Sequence, residues 1–262
     1  DILNIPMINT TNVSQVATIV VTPTFDNGGV SCTAPSKTFT ITINPAAQVS
    51  PISSQVVCNG DSTTPITFST LNSPGTTSYI WSNDNTSIGL AASGTSDIGS
   101  FPVTNTSTIP QVATIVVTPT YRFNGVDCSG SPETFTITVN PSAQVDQPTS
   151  LEVCEGVIVS DINFSTLNTV GITTYSWTND NSNIGLAPNG PGAIGSFTVQ
   201  NSTGTTQVAT IEVTPTFDYD GVPCIGSPKT FTITVNPSAQ VNPIVSDTFC
   251  AGDLIPEINF TT

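Results

Sequence analysis

Six cysteines are the residues of this 262-residue chain whose type and spacing could do chemistry. Cys32, Cys128 and Cys224 stand 96 residues apart, and so do Cys58, Cys154 and Cys250. No Cys-x-x-Cys pair occurs and the chain has no His, so zinc ligation fits poorly and disulfide formation in an oxidising compartment is the expected chemistry. The spacing leaves two connectivities. Pairing within a module joins Cys58 to Cys128 and Cys154 to Cys224, and leaves Cys32 and Cys250 to partners outside the chain. Pairing across the linker joins Cys32 to Cys58, Cys128 to Cys154 and Cys224 to Cys250. A disulfide needs Cα atoms within about 7 Å. The strand after Cys128 carries the chain roughly 25 Å toward the next module at about 3.3 Å per residue, so within-module pairing is the expectation.

Other constellations are weaker. Asn83-Asp84-Asn85 and Asn179-Asp180-Asn181 could offer oxygens to calcium, but Ca²⁺ takes about six to eight of them and each triplet has one carboxylate. Asx turns account for these triplets better, and Asp146 stands nearly alone at the module junction, so no metal or cofactor is expected. Asp218 and Asp220 are close enough for paired-carboxylate chemistry. The other copy has Arg122 and Asn124 there, so the pair is not a module property. Without His, neither Ser-His-Asp nor Cys-His catalysis can be assembled, and the chain is not expected to be an enzyme. Tyr79 with Trp81, and Tyr175 with Trp177, share a strand face; a core Trp explains them better than a sugar platform. Isopeptide crosslinks are disfavoured because Lys37 and Lys229 align with Glu133. The candidate ligand contacts are the hairpin-tip aromatics Tyr121, Phe123, Phe217 and Tyr219, on the stretch that varies most between copies.

The elements that must position these residues follow from the repeat. QVATI begins at Gln15, Gln111 and Gln207, and residues 46–141 align with 142–237 without a gap, 54 of 96 positions being identical. Pro in NPAAQV at Asn44 and in NPSAQV at Asn140 and Asn236 ends the preceding strand, since it cannot donate to a ladder. The expected domains are 1–45, the C-terminal half of a module; 46–141 and 142–237, complete modules; and 238–262, the start of another. Both ends would then be cut mid-module from a longer array. Alternation puts Ala113, Ile115 and Val117 on one face, and Phe135, Ile137 and Val139 likewise. Glu212 replaces Val116 and marks the opposite face as wet. Between these strands, YRFNGVDCSGSPE turns around Asn124-Gly125, giving a hairpin with a long tip. Further strands are expected at Gln55–Cys58, Ile66–Thr70, Thr77–Asn83 and Ile98–Asn105. The class is all-β, tandem immunoglobulin-like β-sandwich modules in an extended rod.

Composition narrows the partners. Eighteen acidic residues face three basic ones, a formal charge of −15, which cannot neutralise a phosphate backbone, so nucleic acid is excluded. No stretch approaches the roughly 18 apolar residues of a membrane-spanning helix.

The Cys-x-Gly near the module start (Cys58-Asn59-Gly60, Cys154-Glu155-Gly156, Cys250-Ala251-Gly252), the Tyr-x-Trp strand, the V-T-P-T strand, the Cys-x-Gly at Cys128 and the closing T-I-T-V-N-P resemble the PKD-like immunoglobulin-type repeats of giant Bacteroidota surface proteins. The likeness covers the whole chain and is nearest to the gliding-motility adhesins exported by type IX secretion. It implies a structural stalk or filament region of a secreted cell-surface adhesin, associated with the outer membrane. The implied partners are neighbouring modules and, outside the chain, surface polysaccharide or other filament chains. A polysaccharide-binding module using the tip aromatics is the alternative. Asp61-Ser62-Thr63 resembles the short O-glycosylation signal of the same bacteria.

Overall fold

Pro and Gly punctuate the chain wherever a strand stops, and Thr, Val and Ile fill the intervals. The result is all-β, as expected. The computed structural model describes residue 4 and residues 6–261, which form two compact units, Asp1–Pro141 and Ser142–Thr262.

In the first unit, β1 (Gln15–Val21) and β4 (Lys37–Ile43) form an antiparallel ladder, and β2 (Thr24–Asn27) pairs with β3 (Val30–Thr33). The module that follows contains β5 (Gln55–Cys58), β6 (Thr76–Asn83), β7 (Ser93–Thr95), β8 (Gln111–Phe123), β9 (Val126–Ser129) and β10 (Glu133–Asn140). Its sheet has the order β5-β10-β8-β6-β7, with β9 also paired to β8. Every pairing is antiparallel except β5 with β10, which runs parallel from Gln55↔Ile137 to Cys58↔Asn140.

The second unit repeats the plan. Its strands are β11 (Leu151–Cys154), β12 (Ile158–Val159), β13 (Ile172–Asn179), β14 (Asn189–Pro191), β15 (Phe197–Thr198), β16 (Gln207–Tyr219), β17 (Val222–Ile225) and β18 (Lys229–Asn236). The sheet order is β11-β18-β16-β13-β14, with β17 on β16, and β11 is again parallel to β18. A thin second layer, β12 with β15 and an Ile162↔Ile194 bridge, closes the sandwich.

In the first module this layer shrinks to the bridges Ser62↔Pro102 and Ile66↔Ile98, where full strands were expected at Ile66–Thr70 and Ile98–Asn105. Side chains have taken the ladder's place. Asp97 Oδ1 accepts from Phe68 N at 2.8 Å, Thr63 Oγ1 from Phe101 N at 3.3 Å, and Asn59 Oδ1 from Asn105 N at 2.7 Å. Short polar side chains compete for backbone donors in this way.

The alternation along β8 is realised: Ala113, Ile115 and Val117 are fully buried and pack with Phe135, Ile137 and Val139. Trp81 belongs to the same core, its indole N–H donating to Ser96 O at 3.2 Å, and the Tyr79 ring lies 5.4 Å from Phe68. Trp177 and the Tyr175–Phe164 pair occupy the matching core. These aromatics hold the sandwich together and present no flat platform to solvent.

Candidate functional site at the module poles

Each module has two poles, defined by β8 or β16. At one end Gln111 pairs with Val139, and the next position along β10, Asn140, pairs with Cys58. The chain leaves here through Pro141. At the other end β8 folds back as β9 around Asn124 (φ 50°) and Gly125 (φ 76°), and β16 does the same around Asp220 (φ 53°) and Gly221 (φ 73°). Two consecutive positive φ values are what a tight two-residue hairpin turn demands, and Asn-Gly and Asp-Gly supply them most cheaply. The long hairpin tip expected around Asn124-Gly125 is therefore an ordered two-stranded extension.

The chain comes into each module at this tip. A Cβ on Gly130 would overlap the Ala47 carbonyl, and one on Gly226 would overlap that of Ala143, which explains the glycine in each Cys-x-Gly at the tip. Asn72 adds a clasp, accepting from Gln48 N at 2.7 Å and donating to Ala46 O at 3.1 Å. Asn168 accepts likewise from Gln144 N at 2.8 Å.

The exit pole is organised by an Asn that recurs three times, buried at 105 and 201 and half-buried at 9. Asn9, Asn105 and Asn201 each donate from Nδ2 to two carbonyls: Val13 and Ile43, Ile109 and Val139, Thr205 and Val235, at 2.7–2.9 Å. The sequence carried the signal, an Asn at a 96-residue spacing, which the strand expectation for Ile98–Asn105 hid.

In the first unit the exit end of the β1–β4 ladder meets the tip of the following module. Ser73 N donates to Asn12 O at 3.0 Å, Asn44 Nδ2 donates to Phe123 O at 3.2 Å, and Ser14 Oγ and Tyr121 Oη are 3.4 Å apart. Tyr121 Oη also accepts from Gly75 N at 3.1 Å.

These positions correct two expectations. Tyr121 and Phe217 were candidate ligand contacts, yet both are fully buried because the pleat turns them to the same face as Val117 and Val213. Phe123 and Tyr219 are half-buried at the tip. The cysteines depart further. Cys58 and Cys224 are disulfide-bonded, whereas Cys32, Cys128, Cys154 and Cys250 are free thiols. The Cys58–Cys128 and Cys154–Cys224 bridges are thus not formed. Cys58 lies at the exit pole and Cys128, opposite Tyr121, lies at the tip. Ten residues of β8 separate those ends, about 33 Å at roughly 3.3 Å per residue, and Cys154 and Cys224 are divided in the same way along β16.

The remaining candidates do structural work. Asn83 Oδ1 accepts from Asn85 N at 3.0 Å, Asn83 Nδ2 donates to Leu90 O and Ala91 O, and Asp84 Oδ1 accepts from Thr114 N at 2.7 Å. Asp218 Oδ1 accepts from Gly221 N at 3.2 Å inside the tip turn. Thr63 is buried and Ser62 exposed, so of the two hydroxyls in Asp61-Ser62-Thr63 only Ser62 reaches solvent. Burial pushes the Tyr79 and Tyr175 hydroxyls above their ordinary pKa of 10.0; Asp97 and Asp146, respectively, act in the same direction, opposed by hydrogen bonds with Thr70 and Thr166. Among the described residues, no group of three or more His, Cys, Asp or Glu side chains could hold a metal ion. No described helix is long and apolar enough to cross a membrane.

The sequence profile of the PKD-like domain matches residues 53–143 and 151–239. No curated protein matches the chain. Among solved structures, mouse protocadherin-24 EC1-3 is 12% identical over 84% of this chain and 80% of its own, with a TM-score of 0.38. Mouse cadherin-23 EC22-24 is 13% identical over 85% and 74%, with a TM-score of 0.34. Chicken CNTN1 FN1-FN3 is 15% identical over 84% and 76%, with a TM-score of 0.31.

Proposed function

The chain belongs to the PKD-like domain family, and from that premise we propose that it is a stalk region of a very large secreted adhesin at the surface of a Bacteroidota-like bacterium. In this reading it supports surface adhesion and gliding motility, leaves the cell by type IX secretion and is tied to the outer membrane through the rest of its protein. Residues 46–141 and 142–237 are the repeating units.

One observation carries the stalk reading. Each module receives the chain at its tip pole, beside Gly130 or Gly226, and releases it at the opposite pole, beside Asn140 or Asn236. Units threaded from end to end add length, about 40 Å per module for a 13-residue strand at roughly 3.3 Å per residue. Three basic residues among 262 also leave little for trypsin-like proteases to cut.

Small-angle scattering tests this on the chain and on versions lengthened by one and two copies of residues 142–237. The maximum dimension should rise by a constant increment of about 40 Å per module. A compact particle whose length stalls refutes the stalk. The polysaccharide alternative retains Phe123 and Tyr219 of its four aromatics, and a glycan array on the same chain decides it.

A further inference from the structure

We propose that the hairpin tip of the first complete module is a self-modifying site: Asn124, followed by Gly125, loses its side-chain amide to water without an enzyme and becomes aspartate and isoaspartate. The modification goes beyond the stalk reading and does not depend on it.

In an Asn-Gly step the glycine N attacks the preceding Cγ with no Cβ to screen it. Four such steps occur, at Asn27, Asn59, Asn124 and Asn189, and the fold treats them differently. At Asn59 both reacting groups are held: its Oδ1 accepts from Asn105 N at 2.7 Å, and Gly60 N donates to Val103 O at 3.0 Å. Asn189-Gly190 lies in β14, opposite Thr178 and Trp177, and a Cβ on Gly190 would overlap the Trp177 ring, so that backbone has no room to swing. Asn124 and Gly125 are instead exposed, and a Cβ on Gly125 would meet nothing within 4 Å. The closing bond of a tight turn joins its first and fourth residues, which leaves the N–H of the third, Gly125, without a backbone acceptor. Among the described residues, neither that N–H nor the Asn124 amide has a hydrogen-bond partner.

The second module shows the restrained form of the same turn. Gly221 N donates to Asp218 Oδ1 at 3.2 Å. At the place of Asp218 the first module has Arg122, which offers donors only and is turned to the Asp127 carboxylate at 3.2 Å. The nucleophile held in one tip is free in the other. Asn27-Gly28, in the turn between β2 and β3, is exposed and has open space around Gly28, so it belongs with Asn124.

The atoms balance with water as the only co-reactant. Gly125 N gives its proton to hydroxide and bonds to Asn124 Cγ; the Cγ–Nδ2 bond breaks, and ammonia leaves a five-membered succinimide. Water opening the ring at Cγ gives aspartate, and opening at the backbone carbonyl gives isoaspartate, whose main chain runs through Cγ. Aspartate keeps the turn, since Asp220 holds φ 53° at the same place. Isoaspartate lengthens the backbone by one atom and breaks the two-residue geometry.

Ageing the intact chain in heavy-oxygen water at neutral and mildly alkaline pH tests the proposal. Trypsin and a Glu-specific protease then isolate Asn124 on residues 123–133, and fragment-ion sequencing assigns the other steps. The peptide 123–133 should gain one heavy oxygen and split into aspartate and isoaspartate forms several-fold faster than Asn59 or Asn189 changes, and faster still at the higher pH. An Asn124 that reacts no faster than those two overturns the proposal. In denaturant the four steps should react at similar rates; a spread that persists there comes from sequence rather than fold and also overturns it. Arg122→Asp should slow Asn124 several-fold. Asp220→Asn, which keeps Asp218, should stay slow, whereas D218R/D220N should approach the rate of Asn124. An Asp220→Asn tip as reactive as Asn124 would overturn the restraint assigned to Asp218.

Discussion

The two complete modules keep the same core and differ in how they satisfy it. Trp81 and Trp177 occupy one position in the repeat, and a ring against Gly94 or Gly190 fixes each of them. Trp81 also donates to the backbone carbonyl of Ser96, whereas Trp177 Nε1 is buried without a partner among the described residues. Tyr121 and Phe217 form a second such pair. Tyr121 accepts from Gly75 N and reaches Ser14, while Phe217 packs its ring on Gly171 with no hydroxyl to satisfy. Ring burial sets the position in both copies, and the hydrogen bonds from Trp81 and to Tyr121 are added to it in the first module.

Substitution can test that division. Removing either indole should cost most. Trp81→Ala and Trp177→Ala are each expected to lose about 3–5 kcal/mol in denaturant unfolding of the chain. A clearly smaller loss at Trp177 would break the claim that the ring, rather than its N–H, holds the site. Next comes the exit-pole amide. Asn105→Ala and Asn201→Ala each strand two carbonyls, and about 2 kcal/mol is expected from both. Smaller differences sharpen the contrast. Trp81→Phe should cost about 1 kcal/mol more than Trp177→Phe, because only the first forfeits a hydrogen bond. Tyr121→Phe should likewise lose about 1 kcal/mol, the hydrogen bond from Gly75 N being forfeited.

The smallest expected effect is alkaline. Tyr79 and Tyr175 have folded pKa values raised above 10.0, so the native state holds their protons more tightly than the unfolded chain. That stabilisation is present in full below pH 10 and is lost as pH rises through the folded values. Both modules should weaken modestly in unfolding curves measured from pH 9 to 12, and Tyr79→Phe should flatten the change in the first module alone.

Much of this was legible because alternation is a local signal. The inward set Ala113, Ile115 and Val117 and the Asn124-Gly125 turn could be read from neighbouring residues. The second layer was overestimated, since Asp97, Thr63 and Asn59 satisfy backbone donors that a ladder would otherwise have taken. Cysteine pairing was misread for a topological reason. Placing Cys58 at the exit pole requires knowing that β5 lies parallel to β10, and nothing in the hydrophobic pattern of four residues reveals strand direction. The tip aromatics failed on parity: Tyr121 continues the buried phase that Ala113, Ile115 and Val117 begin along β8.

The parallel pairing of β5 with β10 also sets how a module would respond to tension along the chain. Residues before β5 lead to the tip pole and residues after β10 leave at the exit, so a load on the two ends drags these strands past each other along their common axis. Their four residue pairs are then loaded in shear and must give way together, unlike a hairpin that unzips one rung at a time. The short β5–β10 ladder is therefore the mechanical clamp of the module, and Cys58 stands at its end.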